Sequence, residues 1–89
     1  MNSEEFLEEI KKQQMSKELD IIAEMQIENL RKIKEITRNA LENLGSIYDE
    51  IKTKEVRNFL EKEMNGLGQL VMEIESQLDL IDTIVKEKR

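Results

Sequence analysis

The sequence contains no histidine, no cysteine, no tryptophan and no proline. Without imidazole or thiol side chains, the common zinc sites and the usual nucleophilic chemistry have no residues to use. Without cysteine, disulfide bonds cannot form part of the fold. Since there are also only three glycines, the chain has few places at which to turn. These absences favour long helices, and they predict a protein that is not an enzyme and that holds neither a cofactor nor a metal.

Long apolar runs and an excess of positive charge are missing as well. The longest apolar runs are three residues, whereas a membrane span needs ~20. The net charge is −6, which disfavours the phosphate backbone of a nucleic acid as a partner. We therefore expect a cytoplasmic protein whose partners are proteins, not a membrane and not a nucleic acid.

The last third of the chain does carry a long ladder of apolar residues. Their spacing alternates between four and three residues, which places the side chains along one side of an α-helix. We call this ladder the packing seam. It consists of Leu60, Met64, Leu67, Val71, Ile74, Leu78, Ile81 and Val85. Such a seam predicts that another helix lies against it, in an arrangement like a coiled coil.

The sequence predicts an all-α fold that forms one domain over residues 1–89. The strongest turn signal predicts that this domain is a long antiparallel helical hairpin. Gly45 suits the position just past the end of a helix, and Ser46 can cap the helix that follows. Helix 1 is therefore expected at about 3–44 and helix 2 at about 47–88.

Two other sites could interrupt the helices. An alternative turn lies at 52–55, where the apolar spacing breaks and Thr53 could act as a cap. Gly66 and Gly68 predict a weakened or kinked helix near 65–68. In a further alternative, a third helix begins after these two glycines and replaces the dimer described below.

The distribution of charge favours the turn at Gly45. If the chain folds there, the numbers of facing residues add up to about 91. The acids from Glu4 to Glu9 then lie beside the bases from Lys86 to Arg89. Folding at Thr53 would leave the N-terminal acids without basic neighbours.

Apolar residues outside the packing seam predict a further partner. Those at 19–27 cover most of the circumference of helix 1, and such a helix needs neighbours on several sides. Two hairpins that pack as a four-helix bundle would supply them, so we expect a homodimer. The expected dimer or partner surface contains Ile21, Met25, Met72 and Leu80.

These features predict a small non-catalytic helical interaction module, such as an adaptor, a chaperone-like protein or a regulatory subunit. Its partners would be itself and another protein. One alternative is an acidic inhibitor or nucleic-acid mimic, because residues 63–85 include five acids and neither lysine nor arginine.

A short segment carries a second alternative. Ser16-Lys17-Glu18-Leu19-Asp20 is similar to the Ser-Gln-Glu-Leu-Asp signature of small two-helix phosphatases that act on sporulation response regulators. The resemblance implies a phosphatase-like regulator of a response regulator, with Asp20 as the residue carried over. In that family the motif opens onto the second helix of a short hairpin, whereas here it falls early in helix 1.

Overall fold

A computed structural model of the protein describes residues 3–88, which form two long α-helices. Helix α1 comprises Ser3–Tyr48 and helix α2 comprises Lys54–Lys88. The helices pack against each other as an antiparallel hairpin, and the molecule measures 76 × 16 × 15 Å. The prediction of an all-α helical hairpin is confirmed.

Helix α2 contributes the apolar half of the core. Every residue of the packing seam is buried or half-buried, and Leu60 and Ile74 are the most deeply buried. The helix begins where the backbone N–H of Arg57 donates to the carbonyl oxygen of Thr53, at 2.9 Å. Glu55 in the first turn has the charge that the positive end of the helix dipole favours.

Helix α1 presents a matching row of residues to α2. These residues repeat the same alternation of four and three, and we call them the α1 seam. It consists of Ala23, Ile27, Leu30, Lys34, Thr37, Leu41, Leu44 and Tyr48, all buried or half-buried. Thr37 is buried although it is polar. Its hydroxyl donates to the carbonyl oxygen of Ile33 at 2.7 Å, so the polar atom is satisfied within its own helix.

The chain reverses at residues 49–53, so the expectation of a turn at Gly45 and Ser46 is wrong. Gly45 stays inside α1 without a positive φ. The Ser46 hydroxyl donates to the carbonyl oxygen of Asn43 at 2.7 Å and caps no helix. Glycine within a helix costs only about 1 kcal/mol, whereas ending α1 at residue 44 would remove the contacts of Tyr48 with α2. The helix therefore continues for as long as its seam has a partner.

The later turn changes the register between the helices. The numbers of facing residues add up to about 109, as Lys34 with Glu75 and Gly45 with Met64 illustrate. Helix α2 thus ends level with residues near 20 of α1, and residues 3–18 project beyond it. The predicted match between the N-terminal acids and the basic C-terminus is wrong, although Arg89 lies outside the described residues.

Helix α2 runs without interruption through its two glycines. Within residues 3–88 no third helix begins after them, so that alternative is wrong. The packing seam explains this continuity, because Leu67 and Val71 hold the neighbouring turns against α1. A Cβ atom added at Gly66 or Gly68 would meet nothing within 4 Å.

Replacing Gly45 with alanine tests the position of the turn. We expect Gly45→Ala to raise the free energy of unfolding by about 0.5–1 kcal/mol, since alanine loses less conformational entropy in a helix. The new Cβ would lie 3.7 Å from Cε of Met64, an ordinary contact. Urea denaturation at fixed protein concentration measures the change. A loss of stability would instead indicate a turn conformation at Gly45.

Truncating Ile74 tests the core. This residue is 4% exposed, and Ile74→Ala should lower the free energy of unfolding by about 2–4 kcal/mol. Met72 is two residues away on the same helix but is 68% exposed, so Met72→Ala should change it by less than about 0.5 kcal/mol. Equal losses in the two variants would contradict the observed orientation of α2.

Candidate interaction surface

The residues that immediately precede seam positions on α1 carry no charge. The half-buried residues Ser16 and Asp20 continue the α1 seam toward the N-terminus. The row of preceding residues therefore begins at Met15. They repeat the alternation of four and three over about 48 Å of helix. These ten residues are Met15, Leu19, Ile22, Gln26, Asn29, Ile33, Ile36, Ala40, Asn43 and Ile47. Seven are apolar and three are amides, so α1 carries a second ladder that does not face α2.

Helix α2 carries a second ladder of the same kind. The residue before a seam residue points about 100° away from the seam on either helix. Because the helices are antiparallel, this rotation brings both ladders to the same side of the hairpin. On α2 the ladder consists of Val56, Phe59, Glu63, Gly66, Leu70, Glu73, Gln77, Leu80 and Ile84. We call the surface formed by the two ladders the apolar face.

A hollow between the two ladders shows that they are adjacent. It has a volume of about 180 Å³ and lies near the end of α2. Leu19, Ile22 and Gln26 line it from α1, and Ile84 lines it from α2. Three seam residues also line it: Ala23, Ile81 and Val85. The hollow is therefore an apolar depression in the surface of the hairpin.

Most of the exposed apolar surface belongs to this face. Among the described residues, eleven of the seventeen large apolar side chains that are exposed lie on it. Ile36 and Phe59 are among the most exposed, at 68% and 64%. Since monomeric proteins rarely expose a contiguous apolar patch of more than a few hundred Å², the apolar face is a candidate interaction surface.

Polar residues interrupt both ladders of the apolar face. On α1 they are Gln26, Asn29 and Asn43, and on α2 they are Glu63, Glu73 and Gln77. In the register of about 109, Ile36 is level with Glu73 and Asn29 is level with Leu80. Polar residues of one ladder therefore lie beside apolar residues of the other.

The opposite side of the hairpin is charged. The residues that immediately follow seam positions on α1 are mostly ionised, and we call this side the charged face. On α1 it contains Lys17, Glu24, Glu28, Arg31, Glu35, Arg38 and Glu42. Glu75 of α2 joins the helices there, because its Oε1 lies 3.1 Å from both the Lys34 and the Arg38 side-chain nitrogens.

Aromatic and charged groups close the turn end of the hairpin. The guanidinium carbon of Arg57 lies 4.6 Å from the centre of the Tyr48 ring, within range of a cation–π interaction. The Tyr48 hydroxyl donates a hydrogen bond to the Glu61 carboxylate. Tyr48 thus connects the end of α1 to the first two turns of α2.

The four residues expected to form a partner surface do not lie together. All are exposed, but only Leu80 belongs to the apolar face. Ile21 and Met72 each follow a seam residue and lie on the charged face, at levels about 15 residues apart. Met25 points outward from α1, away from the seam.

The sequence contains a signal that could have revealed the apolar face. It is the ladder of ten uncharged residues on α1, which has the same spacing as the packing seam. Sequence reasoning detected the crowding of apolar residues at 19–27 but assigned no seam to α1. Lys34 and Thr37 interrupt that seam, so it does not stand out as an apolar row.

Other kinds of site find less support. Among residues 3–88, no three carboxylates come close enough to hold a metal ion. In that same part of the chain, no helix has both the length and the apolarity that crossing a membrane requires. Asp20 is half-buried where α2 ends, at the edge of the hairpin contact. Comparison with known protein families, with curated proteins and with solved structures finds no match.

The pKa of Glu75 tests the ion pairs that join the two helices at the charged face. The hydrogen bond and the charge of Lys34, with Arg38 adding to both, hold this pKa below its ordinary value of 4.5. The stabilisation from Glu75 is therefore fully present above the unfolded pKa, and it is lost as the pH falls through the lower folded pKa. We expect Lys34→Met to raise the Glu75 pKa toward 4.5, as measured by NMR titration of the carboxyl carbon.

Lys32 provides the matched control for this titration. It pairs with Glu28 on its own helix at 3.1 Å and has no ion pair with α2 among the described contacts. Lys32→Met should therefore leave the Glu75 pKa unchanged. A Glu75 pKa that did not respond to Lys34→Met would contradict the contact between the helices.

Proposed function

We propose that this protein is a non-catalytic interaction module that acts by packing its helices against those of other chains. The observation that carries this proposal is the apolar face. The hairpin uses both seams internally and still presents a second set of ladders to solvent. We propose further that the first partner is a second copy, so that two hairpins form a coiled-coil-like four-helix bundle.

The size of the apolar face supports a stable dimer. It extends about 48 Å along α1 and about 20 Å across two helices, which is on the order of 1,000 Å² per copy. A typical specific interface uses about 800 Å² per partner. Face-to-face association could therefore cover the whole surface.

The small core of the single hairpin supports the same conclusion. Among the described residues only Leu60, Ile74 and Thr37 are buried, and no large side chain is fully enclosed. Two helices alone seldom bury enough apolar surface to balance the entropy of ordering the chain. Packing a second hairpin on the apolar face would give each helix two neighbours.

The surfaces outside the apolar face support the role of an adaptor or regulatory subunit. The charged face and residues 3–14 would stay accessible in the bundle. Residues 3–18 extend beyond α2 and expose Phe6, Leu7 and Ile10. We propose that such a surface contacts another protein while the apolar face holds the dimer together.

Two adjacent isoleucines allow a matched test of self-association. Ile22 lies on the apolar face and is 62% exposed, whereas Ile21 follows a seam position and is 60% exposed. Analytical ultracentrifugation should show the wild-type chain at twice its 10.5 kDa mass. Ile22→Glu should weaken the dimer at least about tenfold, because it buries an unpaired charge, while Ile21→Glu should change its Kd by less than about threefold.

Circular dichroism should show that both variants keep their helices, since neither residue belongs to a seam. Two outcomes would contradict the proposal. One is a folded wild-type monomer at concentrations up to about 100 µM. The other is equal weakening by both variants, which would exclude the apolar face as the contact.

A further inference from the structure

We infer that the two copies dock with their turns at opposite ends of the bundle, and that α1 packs on the partner's α1 with facing residue numbers that add up to about 69. This inference deepens the proposed function and rests on it, since it needs two copies that meet through their apolar faces. Its occupant is a second copy of this chain. The order of polar and apolar residues along the α1 ladder supports it, together with the register between the two helices.

Two hairpins can meet face to face about a twofold axis in two ways. An axis along the length of the hairpin puts both turns at the same end and places each α1 on the partner's α2. An axis across the hairpin puts the turns at opposite ends and places each helix on its own copy in the partner. Adjacent helices are antiparallel in both arrangements, so the residues that meet must decide between them.

The axis along the length brings together residues that do not match. Rotation about it keeps every residue at its own level, so the register of about 109 within the hairpin also holds between the copies. Ile36 would meet the partner's Glu73, and Asn29 would meet the partner's Leu80. A carboxylate packed against an isoleucine loses its water without gaining a hydrogen bond. The same-end arrangement is therefore disfavoured.

The axis across the hairpin lets the α1 ladder pair with itself. Its spacing of four and three reads the same in both directions from Ile22 to Ile47, so an antiparallel copy can be laid on it residue by residue. When facing numbers add up to 69, apolar residues meet apolar residues, and each amide meets an amide or alanine. The pairs are Ile22 with the partner's Ile47, Gln26 with the partner's Asn43, Asn29 with the partner's Ala40, and Ile33 with the partner's Ile36.

Neighbouring registers of the two α1 helices lose this match. A shift of one heptad in one direction would set Ile47 beside the partner's Asn29. A shift of one heptad in the other direction would set Ile36 beside the partner's Gln26. Polar residues within an apolar ladder select one register in this way. The amides of the α1 ladder therefore specify how the copies align.

The register within the hairpin then determines the contact between the two copies of α2. There the facing numbers add up to about 150. Leu70 meets the partner's Leu80, and Glu73 meets the partner's Gln77, whose amide can donate a hydrogen bond to the carboxylate. Each Glu73 is also one turn from the Gln77 of its own helix, so two amides lie among the two carboxylates. Glu63 lies level with the partner's Glu87 at the end of α2, where water and salt screen the repulsion.

The hollow near the end of α2 is covered in this arrangement. It lies beside Leu19, Ile22 and Ile84, and the turn end of the partner comes to the same level. The partner's Ile47 lies on Ile22, and the partner's Phe59 lies level with Leu19. The Phe59 side chain, which is 64% exposed in the single hairpin, thus meets an apolar depression. Covering the hollow removes apolar surface from water, which favours association.

The arrangement has a consequence for the projecting segments. Residues 3–14 of the two copies would leave the bundle at opposite ends, each beyond the partner's turn. Each segment exposes Phe6, Leu7 and Ile10. The helix rise places the two segments about 80 Å apart. The dimer would therefore link two separate partner molecules, because its two identical apolar segments are too far apart to share one small site.

Spin labels at single cysteines test the arrangement directly. The chain has no native cysteine, so Lys52→Cys gives one labelling site per copy in the loop, and Lys17→Cys gives one on α1 just beyond the end of α2. Pulsed electron spin resonance should give a distance between copies of about 50 Å for either label, whereas turns at the same end would give less than about 30 Å for both. Mixing the two labelled chains should add a distance of less than about 30 Å between Lys52 of one copy and the partner's Lys17.

A charge swap across one inferred pair tests the register. Ile47→Lys should weaken the dimer as Ile22→Glu does, because each change buries an unpaired charge. Both changes in one chain should restore binding at least about tenfold relative to either single variant, because each new carboxylate meets the partner's new ammonium group. Positions 22 and 47 are about 38 Å apart within one chain, so only a contact between copies can couple them.

Ile21 provides the matched control for the charge swap. Ile21→Glu combined with Ile47→Lys should bind no better than Ile47→Lys alone, because residue 21 lies on the charged face. Circular dichroism should show that all of these variants keep their helices, since none of the replaced residues belongs to a seam.

The outcomes separate the two proposals. A dimer with distances of less than about 30 Å at both single labels would overturn the opposite-end docking and leave the proposed dimer intact. A dimer in which the charge swap restores nothing would overturn the inferred register and also leave the dimer intact. A sample in which ultracentrifugation shows only monomer, with no distance between copies, would overturn the proposed dimer and this inference together. Distances of about 50 Å at each label, with recovery in the charge swap alone, would support both.

Discussion

The contact between the packing seam of α2 and the α1 seam is the interaction on which the other features depend. The α2 row is apolar throughout, whereas Lys34 and the buried Thr37 interrupt the α1 row. Once these rows face each other, the side of every other residue is determined. Residues that precede a seam position form the apolar face. Residues that follow a seam position form the charged face, and most of those on α1 are ionised.

The position of the turn determines what the two faces contain. Continuing α1 to Tyr48 makes facing residues add up to about 109 and leaves residues 3–18 without α2 beside them. In this register Ile36 of α1 is level with Glu73 of α2, and Asn29 is level with Leu80, so each ladder sets polar residues beside apolar ones of the other.

The stability of the hairpin and its proposed association depend on different residues. Leu60 and Ile74 hold the two helices together, and the exposed isoleucines and leucines of the apolar face add little to that contact. The absence of charge from ten successive ladder positions on α1 is therefore not explained by the single hairpin. The proposed packing against another helical surface would explain it, because a charge at those positions would be costly to bury.

The sequence by itself determined the helical class, the side of α2 that packs against another helix, and the lack of the usual catalytic and zinc-binding side chains. These conclusions depend on local spacing and composition, which a long amphipathic helix expresses directly. The tertiary structure decided the turn, the register and the side on which the second ladders meet. A glycine inside a helix costs about 1 kcal/mol and an exposed ion pair is worth a few tenths, so neither Gly45 nor the N-terminal acids could outweigh the packing of Leu44 and Tyr48. The ladder of ten uncharged residues on α1 is present in the sequence, but contact with α2 identifies the seam beside it, because Lys34 and Thr37 interrupt that seam.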